Sequence, residues 1–175
     1  MKHKLEDGRL VDIVPISAKI PTKLLLEHIN SLIAEDAFLL LDRKLTLKHE
    51  EAWKKGVLDG VRKGIHIYFI AMYKGRIAGT CDAKRGMGKE SDNVILGIAV
   101  TKDFRSVGLG EFLMRKTIAE TKKKLKPRNI YLHVADPNNP AKALYKKLGF
   151  KEMARFPKWA KHRGKYVDVV WMLLK

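Results

Sequence analysis

Cysteine is nearly absent from the 175-residue sequence, which contains it once, at Cys81. A single cysteine excludes an intrachain disulfide and a cysteine-rich metal site. Cys81 lies in a strand-like apolar stretch, where a lone cysteine is usually a small buried residue. No His or Asn motif beside it indicates a catalytic nucleophile. We therefore predict that Cys81 is a buried core residue.

Long apolar runs are missing as well. No run of about 18 uncharged apolar residues is present to span a membrane, and the basic N-terminal residues have no apolar stretch behind them, which excludes an ordinary secretory signal. No repeat, low-complexity segment or flexible linker divides the sequence. We expect a single cytoplasmic domain, residues 1–175, with no membrane partner.

Negative charge is scarce. The sequence has 36 Lys and Arg against 19 Asp and Glu, a net charge of +17. Such a field attracts anions and repels cations. Three interpretations remain open: a polyanionic cofactor such as a nucleotide or coenzyme A, nucleic acid, or a solvated lysine-rich surface without a partner. No recognised nucleic-acid-binding motif is present, which weakens the second.

Hydrophobic periodicity predicts alternating strands and helices. The predicted helices lie near residues 22–32, 47–62, 108–125 and 140–148, and the predicted strands near 9–14, 65–72, 77–83, 93–100, 129–134 and 166–174. The segment 35–42 has no clear pattern. Two strands flank each of the last two helices, which favours an α+β (mixed α/β) fold with a mixed sheet and helices on both faces.

A glycine-containing loop joins the strand at 93–100 to the helix at 108–125. It includes Arg105, Gly108 and Gly110. The first turn of a helix offers free N–H groups and the positive end of the helix dipole, which together stabilise an anion. The glycines let a ligand approach the backbone. Leu113 stands where a dinucleotide fingerprint needs a third glycine, and Glu111 stands where a Walker A loop needs lysine, so neither motif is present.

Two motifs resemble those of the GNAT superfamily of N-acetyltransferases. The spacing Arg-x-x-Gly-x-Gly at 105–110 is similar to the family's pyrophosphate loop. Residues 138–150 read Asn-Asn-Pro-Ala-Lys-Ala-Leu-Tyr-Lys-Lys-Leu-Gly-Phe and resemble the family's Asn-x-x-Ala-x-x-Leu-Tyr-x-Lys-x-Gly-Phe. The spelling is closest to ribosomal-protein-alanine and small-amine N-acetyltransferases. The resemblance spans about residues 93–174.

This resemblance implies a central six- to seven-stranded mixed sheet in which the family's fourth and fifth strands splay apart. Gly97, inside the first of these strands, suits a bulge or a close backbone approach. The implied co-substrate is acetyl-CoA, without a metal. Position by position, the resemblance assigns these residues to the donor: Ile98, Ala99 and Val100 to pantetheine by their backbone, Arg105, Ser106, Val107, Gly108, Leu109 and Gly110 to pyrophosphate, and Asn138 to the pantetheine arm.

Tyr145 is the implied catalytic acid, since the family's tyrosine points at the thioester sulfur. A phenol with a pKa of about 10 stays protonated at neutral pH and can protonate a departing thiolate, whose parent thiol has a pKa of about 8.5. The base is left open between three candidates. His133 stands where some ribosomal-protein N-acetyltransferases place a glutamate. Asp168 could have a raised pKa among apolar neighbours or could bind a basic neighbour. Water could also serve.

The acceptor is expected to be a primary amine that attacks the thioester directly: a protein N-terminus, a lysine or a small amine. The positive field disfavours polyamines unless Glu35, Asp36 and Asp42 form an acidic lip. The hairpin 156–165 is basic and contains two aromatic residues. A nucleic-acid-binding or coenzyme A-sensing protein on the same fold is the alternative function. A homodimer is compatible with the sequence.

Overall fold

One mixed sheet contains all eight strands of the described residues. The computed structural model describes residues 1–39, 41 and 43–175. The strands are β1 (Lys2–Lys4), β2 (Leu10–Pro15), β3 (His66–Tyr73), β4 (Arg76–Arg85), β5 (Asn93–Val100), β6 (Asn129–Ala135), β7 (Phe150–His162) and β8 (Lys165–Leu174). They lie side by side in the order β1-β2-β3-β4-β5-β6-β8-β7. Neighbouring strands are antiparallel except β5 and β6, which are parallel.

Helices cover both faces of this sheet. They are α1 (Thr22–Ala34), α2 (Leu47–Arg62), α3 (Leu109–Lys124) and α4 (Asn139–Lys147). Alternate residues of a strand point to opposite faces, and β3 shows which helices lie where. Phe69 belongs to the core that contains residues of α3 and α4, whereas Ile70 belongs to the core that contains residues of α1 and α2. The predicted fold class is confirmed.

Two strands were not predicted, so the sheet of the described residues has eight strands instead of six or seven. The three residues of β1 read Lys-His-Lys and carry no apolar alternation. β7 is an edge strand with mostly exposed residues, and its pairing with β8 shifts register between Phe156 and Ala160. Pro157 lies inside this shift, which is where an edge strand tolerates proline. A periodicity signal is weak in both cases because little of either strand is buried.

The N-terminus of α3 is fixed by a buried anchor. Leu109, Leu113 and Met114 are all fully buried against the sheet. Phe104, in the turn before the helix, is also fully buried, and the Arg9 guanidinium lies 4.0 Å from its ring centre. The loop between β5 and α3 is therefore held at both ends by core packing. Within the described residues, no helix is long and apolar enough to cross a membrane.

Replacing Leu113 with alanine should lower the free energy of unfolding by about 2–5 kcal/mol, because the lost side chain is fully buried. Urea denaturation followed by circular dichroism measures the change. The matched control is Leu10→Ala on β2, where the side chain is 57% exposed and the change should stay within about 0.5 kcal/mol. Equal effects of the two substitutions would contradict the proposed anchoring of α3.

Candidate functional site

The parallel pair β5 and β6 separates after a short ladder. Pairing in the described residues runs from Asn93 with Asn129 to Ile95 with Tyr131. β5 nevertheless continues to Val100, and its other edge stays paired with β4 as far as Val100. The second half of β5 therefore has one edge that faces a gap in the middle of the sheet. The splayed strand pair implied by the sequence is present.

A cleft of about 790 Å³ occupies this gap. Its volume falls in the range of small-molecule sites. It is lined by α4 and the start of α3 on one face of the sheet and by residues 35–39 and 160–163 on the other. The predicted residues that line it are Ile98, Ala99, Val100, Arg105, Ser106, Gly108, Gly110, His133, Asn138 and Tyr145. Val107 and Leu109 pack into the core instead and contribute backbone to the loop.

Unpaired amides gather where α3 begins. Gly108 is the N-cap, with φ of +83°, and no side chain caps the helix. Among the described residues, the N–H groups of 106–111 have no hydrogen-bond partner, and the first bond into this turn is donated by Phe112 to the Gly108 carbonyl at 3.0 Å. The positive φ favours glycine at 108. The loop therefore presents an anion site made of backbone N–H groups and the helix dipole.

Two carboxylates stand beside this loop. A Cβ on Gly108 would lie 2.9 Å from Oε1 of Glu6, so a side chain at 108 would meet that carboxylate. Glu35 forms an ion pair with the Arg105 guanidinium, and Arg105 Nε donates to the Val100 carbonyl at 2.9 Å. Because the Arg105 side chain is 43% exposed, this ion pair is screened by water and contributes little to stability.

The predicted acidic lip is not a free anionic patch. Glu35 is paired with Arg105, while Asp36 lies 3.2 Å from Arg163 Nε and 3.6 Å from His162 Nδ1. Asp42 lies outside the described residues. The basic hairpin between β7 and β8 thus neutralises the Asp36 carboxylate, and the contact joins the end of α1 to that hairpin across the mouth of the cleft.

Tyr145 lies on α4 and is only 6% exposed. Burial raises the pKa of the phenol, and the nearby Cys81 contributes in the same direction. The side chain therefore stays protonated at neutral pH. α4 is capped by Asn138, whose Oδ1 accepts the Ala141 N–H at 3.3 Å. Asn138 Oδ1 is therefore committed to the helix.

His133 faces the cleft from β6. Its ring stacks on Trp171 of β8 with ring centres 4.2 Å apart. Its Nε2 is buried and has no hydrogen-bond partner within the described residues. Burial lowers the pKa of the imidazole below its usual value of 6.5, so the ring is neutral at pH 7 and one nitrogen can accept a hydrogen bond or a proton.

Cys81 is buried, as predicted, and its thiol lies 3.6 Å from Met114 Sδ.

Asp168 does not line the cleft. Its Oδ1 accepts the Lys158 N–H at 3.0 Å, and Oδ2 lies 3.5 Å from Arg155 Nη1. These contacts hold the irregular part of β7 against β8. Of the two roles that the sequence left open for Asp168, the contacts correspond to binding a basic neighbour. Both carboxylate oxygens are thus engaged outside the lining of the cleft, and a catalytic role for Asp168 stays a prediction.

A pair of titratable residues was missed. His66 Nε2 lies 2.8 Å from Asp82 Oδ2, across β3 and β4. The available signal was the Asp82 carboxylate inside a predicted apolar strand. Its partner His66 lies 16 residues away and could not be identified before the register of β3 and β4 was known. In the described part of the chain, no three His, Cys, Asp or Glu residues are grouped to hold a metal ion.

Known proteins resemble this chain in sequence. The sequence profile of the acetyltransferase (GNAT) family matches residues 30–150. An N-alpha-acetyltransferase of Sulfurisphaera tokodaii is 39% identical over 59 residues, and the match spans 34% of this chain but only 35% of that protein. The L-amino acid N-acetyltransferase AaaT of Escherichia coli is 30% identical over 70% of this chain and 75% of its own length.

The fold is shared with solved structures. A GNAT superfamily phosphinothricin acetyltransferase from Sinorhizobium meliloti, solved in complex with acetyl-CoA, superposes with a TM-score of 0.80. The superposition covers 93% of this chain and 86% of that chain at 13% sequence identity. Identity at this level shows a common fold and nothing finer.

Replacing Arg105 with glutamine should weaken the binding of coenzyme A about tenfold, because hydrogen bonds to a charged group contribute about 1.5–3 kcal/mol. Titration calorimetry with coenzyme A measures the affinity. Arg62→Gln is the matched control, since Arg62 forms an exposed ion pair with Asp59 on α2, outside the cleft. An Arg105→Gln affinity equal to that of the control would show that Arg105 does not contact the diphosphate.

Proposed function

The chain belongs to the acetyltransferase (GNAT) family, and we propose that it transfers the acetyl group of acetyl-CoA to the α-amino group of an amino acid or a polypeptide. The observation that carries this proposal is the gap between β5 and β6 beside the unpaired amides at the start of α3. The pantetheine arm of acetyl-CoA needs a slot between two strands. The diphosphate of acetyl-CoA needs an anion site at one end of that slot. Both lie in one cleft.

The donor is held mainly by backbone. The free edge of β5 from Ile98 to Val100 can pair with the amide groups of pantetheine in place of β6. The N–H groups of residues 106–111 and the Arg105 guanidinium surround the diphosphate position. Phosphate at a helix N-terminus is stabilised by the dipole as well as by hydrogen bonds. The net charge of +17 attracts the same polyanion from solution.

Tyr145 is the proposed acid. Burial keeps its phenol protonated, and Tyr145 is one of the residues that line the cleft. Acetyl-CoA supplies an activated acetyl group and a thiolate leaving group. Tyr145 delivers a proton to that sulfur, so that coenzyme A leaves as a neutral thiol, which is a better leaving group than the thiolate. The neutral His133 on β6 is the candidate to accept a hydrogen bond from the incoming amine.

An α-amino group is the proposed acceptor for two reasons. One relative is named an N-alpha-acetyltransferase and the other an L-amino acid N-acetyltransferase, and every L-amino acid carries an α-amino group. At a polypeptide N-terminus the α-amine also has a pKa of about 8, against about 10.4 for a lysine side chain, so a larger fraction is neutral and nucleophilic at pH 7. A cytoplasmic location, a homodimer and nucleic-acid binding remain predictions from the sequence.

Thiol release from acetyl-CoA, measured with a chromogenic disulfide, tests the proposal. L-Alanine and the tripeptide Ala-Ala-Ala present α-amines, Nα-acetyl-L-lysine presents only an ε-amine, and spermidine is a polyamine. We expect faster turnover with L-alanine or Ala-Ala-Ala than with either Nα-acetyl-L-lysine or spermidine. L-Alanine and the tripeptide separate a free amino acid from a polypeptide acceptor. Release no faster than hydrolysis with every amine would contradict the proposed activity.

Tyr145→Phe should lower kcat about 100-fold, since a general acid typically contributes 10²–10⁴, while the KM for acetyl-CoA changes little. Loss of one hydroxyl leaves the ring and the packing of α4 in place. Tyr166→Phe is the control, because Tyr166 on β8 is 69% exposed and lies outside the lining of the cleft. Unchanged turnover in Tyr145→Phe would remove this tyrosine from the mechanism.

A further inference from the structure

Asp82 lies beside an unusual residue of β5. Asp82 and Gly97 are partners across β4 and β5. Gly97 is exposed although its strand is central in the sheet, and it lines the cleft. A Cβ on Gly97 would lie 2.6 Å from Asp82 Oδ1, so the carboxylate oxygen occupies the space that a side chain at position 97 would fill. Asp82 is not itself a lining residue, but its Oδ1 lies beside Gly97, which is, and its side chain is 29% exposed.

His66 fixes the orientation of this carboxylate. Its Nε2 lies 2.8 Å from Oδ2, and the imidazole is only 8% exposed. Gly60 of α2 packs closely on it, because a Cβ on Gly60 would stand 3.1 Å from the His66 Cβ. Oδ1, by contrast, has no hydrogen-bond partner within the described residues. One oxygen is thus held by the protein and the other is available to a ligand.

The charges near the cleft make this free oxygen distinctive. Glu35 and Asp36 are engaged by Arg105, His162 and Arg163. Glu6 stands at Gly108, beside the loop that would hold the diphosphate. An acceptor amine arrives as an ammonium ion, which the overall charge of +17 repels. A local carboxylate, with one oxygen that accepts no hydrogen bond from the described residues, offsets that repulsion at the point where the acceptor would bind.

Asp82 and Tyr145 approach the gap from opposite faces of the sheet. Leu96 points into the core shared with α3 and α4, so its neighbour Gly97 points to the other face. Asp82 shares that face with Gly97. Extending the register of β5 and β6 beyond Ile95 and Tyr131 brings position 97 opposite His133. An amine that enters from the α1–α2 face therefore reaches Asp82 and His133 before it reaches the slot.

We propose that Asp82, positioned by His66, binds the ammonium group of the acceptor and takes a proton from its nitrogen during attack; this inference rests on the proposed function. The bound ammonium releases a first proton to water. Its lone pair then forms the N–C bond as the C–S bond breaks, and Asp82 Oδ1 accepts the second proton while Tyr145 Oη gives one to sulfur. Solvent returns the proton from Asp82 to Tyr145, so one proton is released overall.

The test compares Asp82→Asn with Asp12→Asn, which removes the same charge from an exposed position on β2. The acceptor is whichever of L-alanine and Ala-Ala-Ala the wild type acetylates faster. We expect kcat/KM for the amine to fall about 100-fold in Asp82→Asn, with the affinity for acetyl-CoA within about twofold of wild type. Asp12→Asn should match wild type. Turnover by Asp82→Asn equal to that of Asp12→Asn would overturn the inference alone, whereas a wild type without turnover would overturn the proposed function.

A second acceptor separates charge recognition from a packing defect. Hydroxylamine is neutral at pH 7, so it needs no anionic receptor although it still loses a proton from nitrogen on attack, and the loss caused by Asp82→Asn should be smaller with it than with the amine. Equal losses with both acceptors would exclude binding of the ammonium.

His66→Gln should lower kcat/KM for the amine less than Asp82→Asn, and the double variant should lose no more than Asp82→Asn, since His66 acts through Asp82. Additive losses would contradict that dependence.

If Asp82→Asn does not fold, Gly97→Ala tests the same contact. The added methyl would lie 2.6 Å from Oδ1 and must displace the carboxylate, although the charge and His66 remain. We expect a fall in kcat/KM for the amine of at least tenfold, again smaller with hydroxylamine. Unchanged kinetics in a folded Gly97→Ala protein would overturn the inference.

Discussion

The incomplete ladder between β5 and β6 is the constraint on which the rest of the structure depends. Backbone N–H and C=O groups inside a protein need hydrogen-bond partners, yet half of β5 lacks a partner strand on one edge in the middle of the sheet. The other edge is fully paired with β4, and the fully buried Leu109, Leu113 and Met114 hold the following helix on the core. The strand can remain open on one side because its other contacts are so extensive.

Most of the fold could be predicted because its central elements are strongly patterned. The predicted limits of α2 and β5 agree with the structure, since Thr46 caps the start of α2 and Gly64 follows its end, and β5 is bounded by polar residues at both ends. The two strands that were not predicted, β1 and β7, lie at the edges of the sheet. Edge strands bury little, so tertiary pairing decides their conformation rather than their own residues.

The candidate site was predictable where its chemistry is local in sequence. The turn at 105–110 and the helix that carries Tyr145 are each specified by one short motif. Contacts between distant residues could not be inferred in the same way. Arg105 and Glu35 are 70 residues apart, and Asp82 and His66 meet only because β3 and β4 pair in one register. The contacts of Asp168 are of the same kind, because its partners Lys158 and Arg155 belong to β7, an edge strand that the sequence does not predict.

The excess of positive charge sets different conditions for the two substrates of the proposed reaction. A polyanionic donor is attracted by the whole surface, so its site needs little side-chain specialisation, and backbone amides with one arginine suffice. A cationic acceptor experiences the same field as a barrier. Lowering that barrier requires a carboxylate that the protein's own lysines and arginines do not neutralise. Asp82 meets this condition because His66 holds one of its oxygens by a hydrogen bond rather than by a permanent positive charge, and because the other oxygen lies beside Gly97, a residue that lines the cleft.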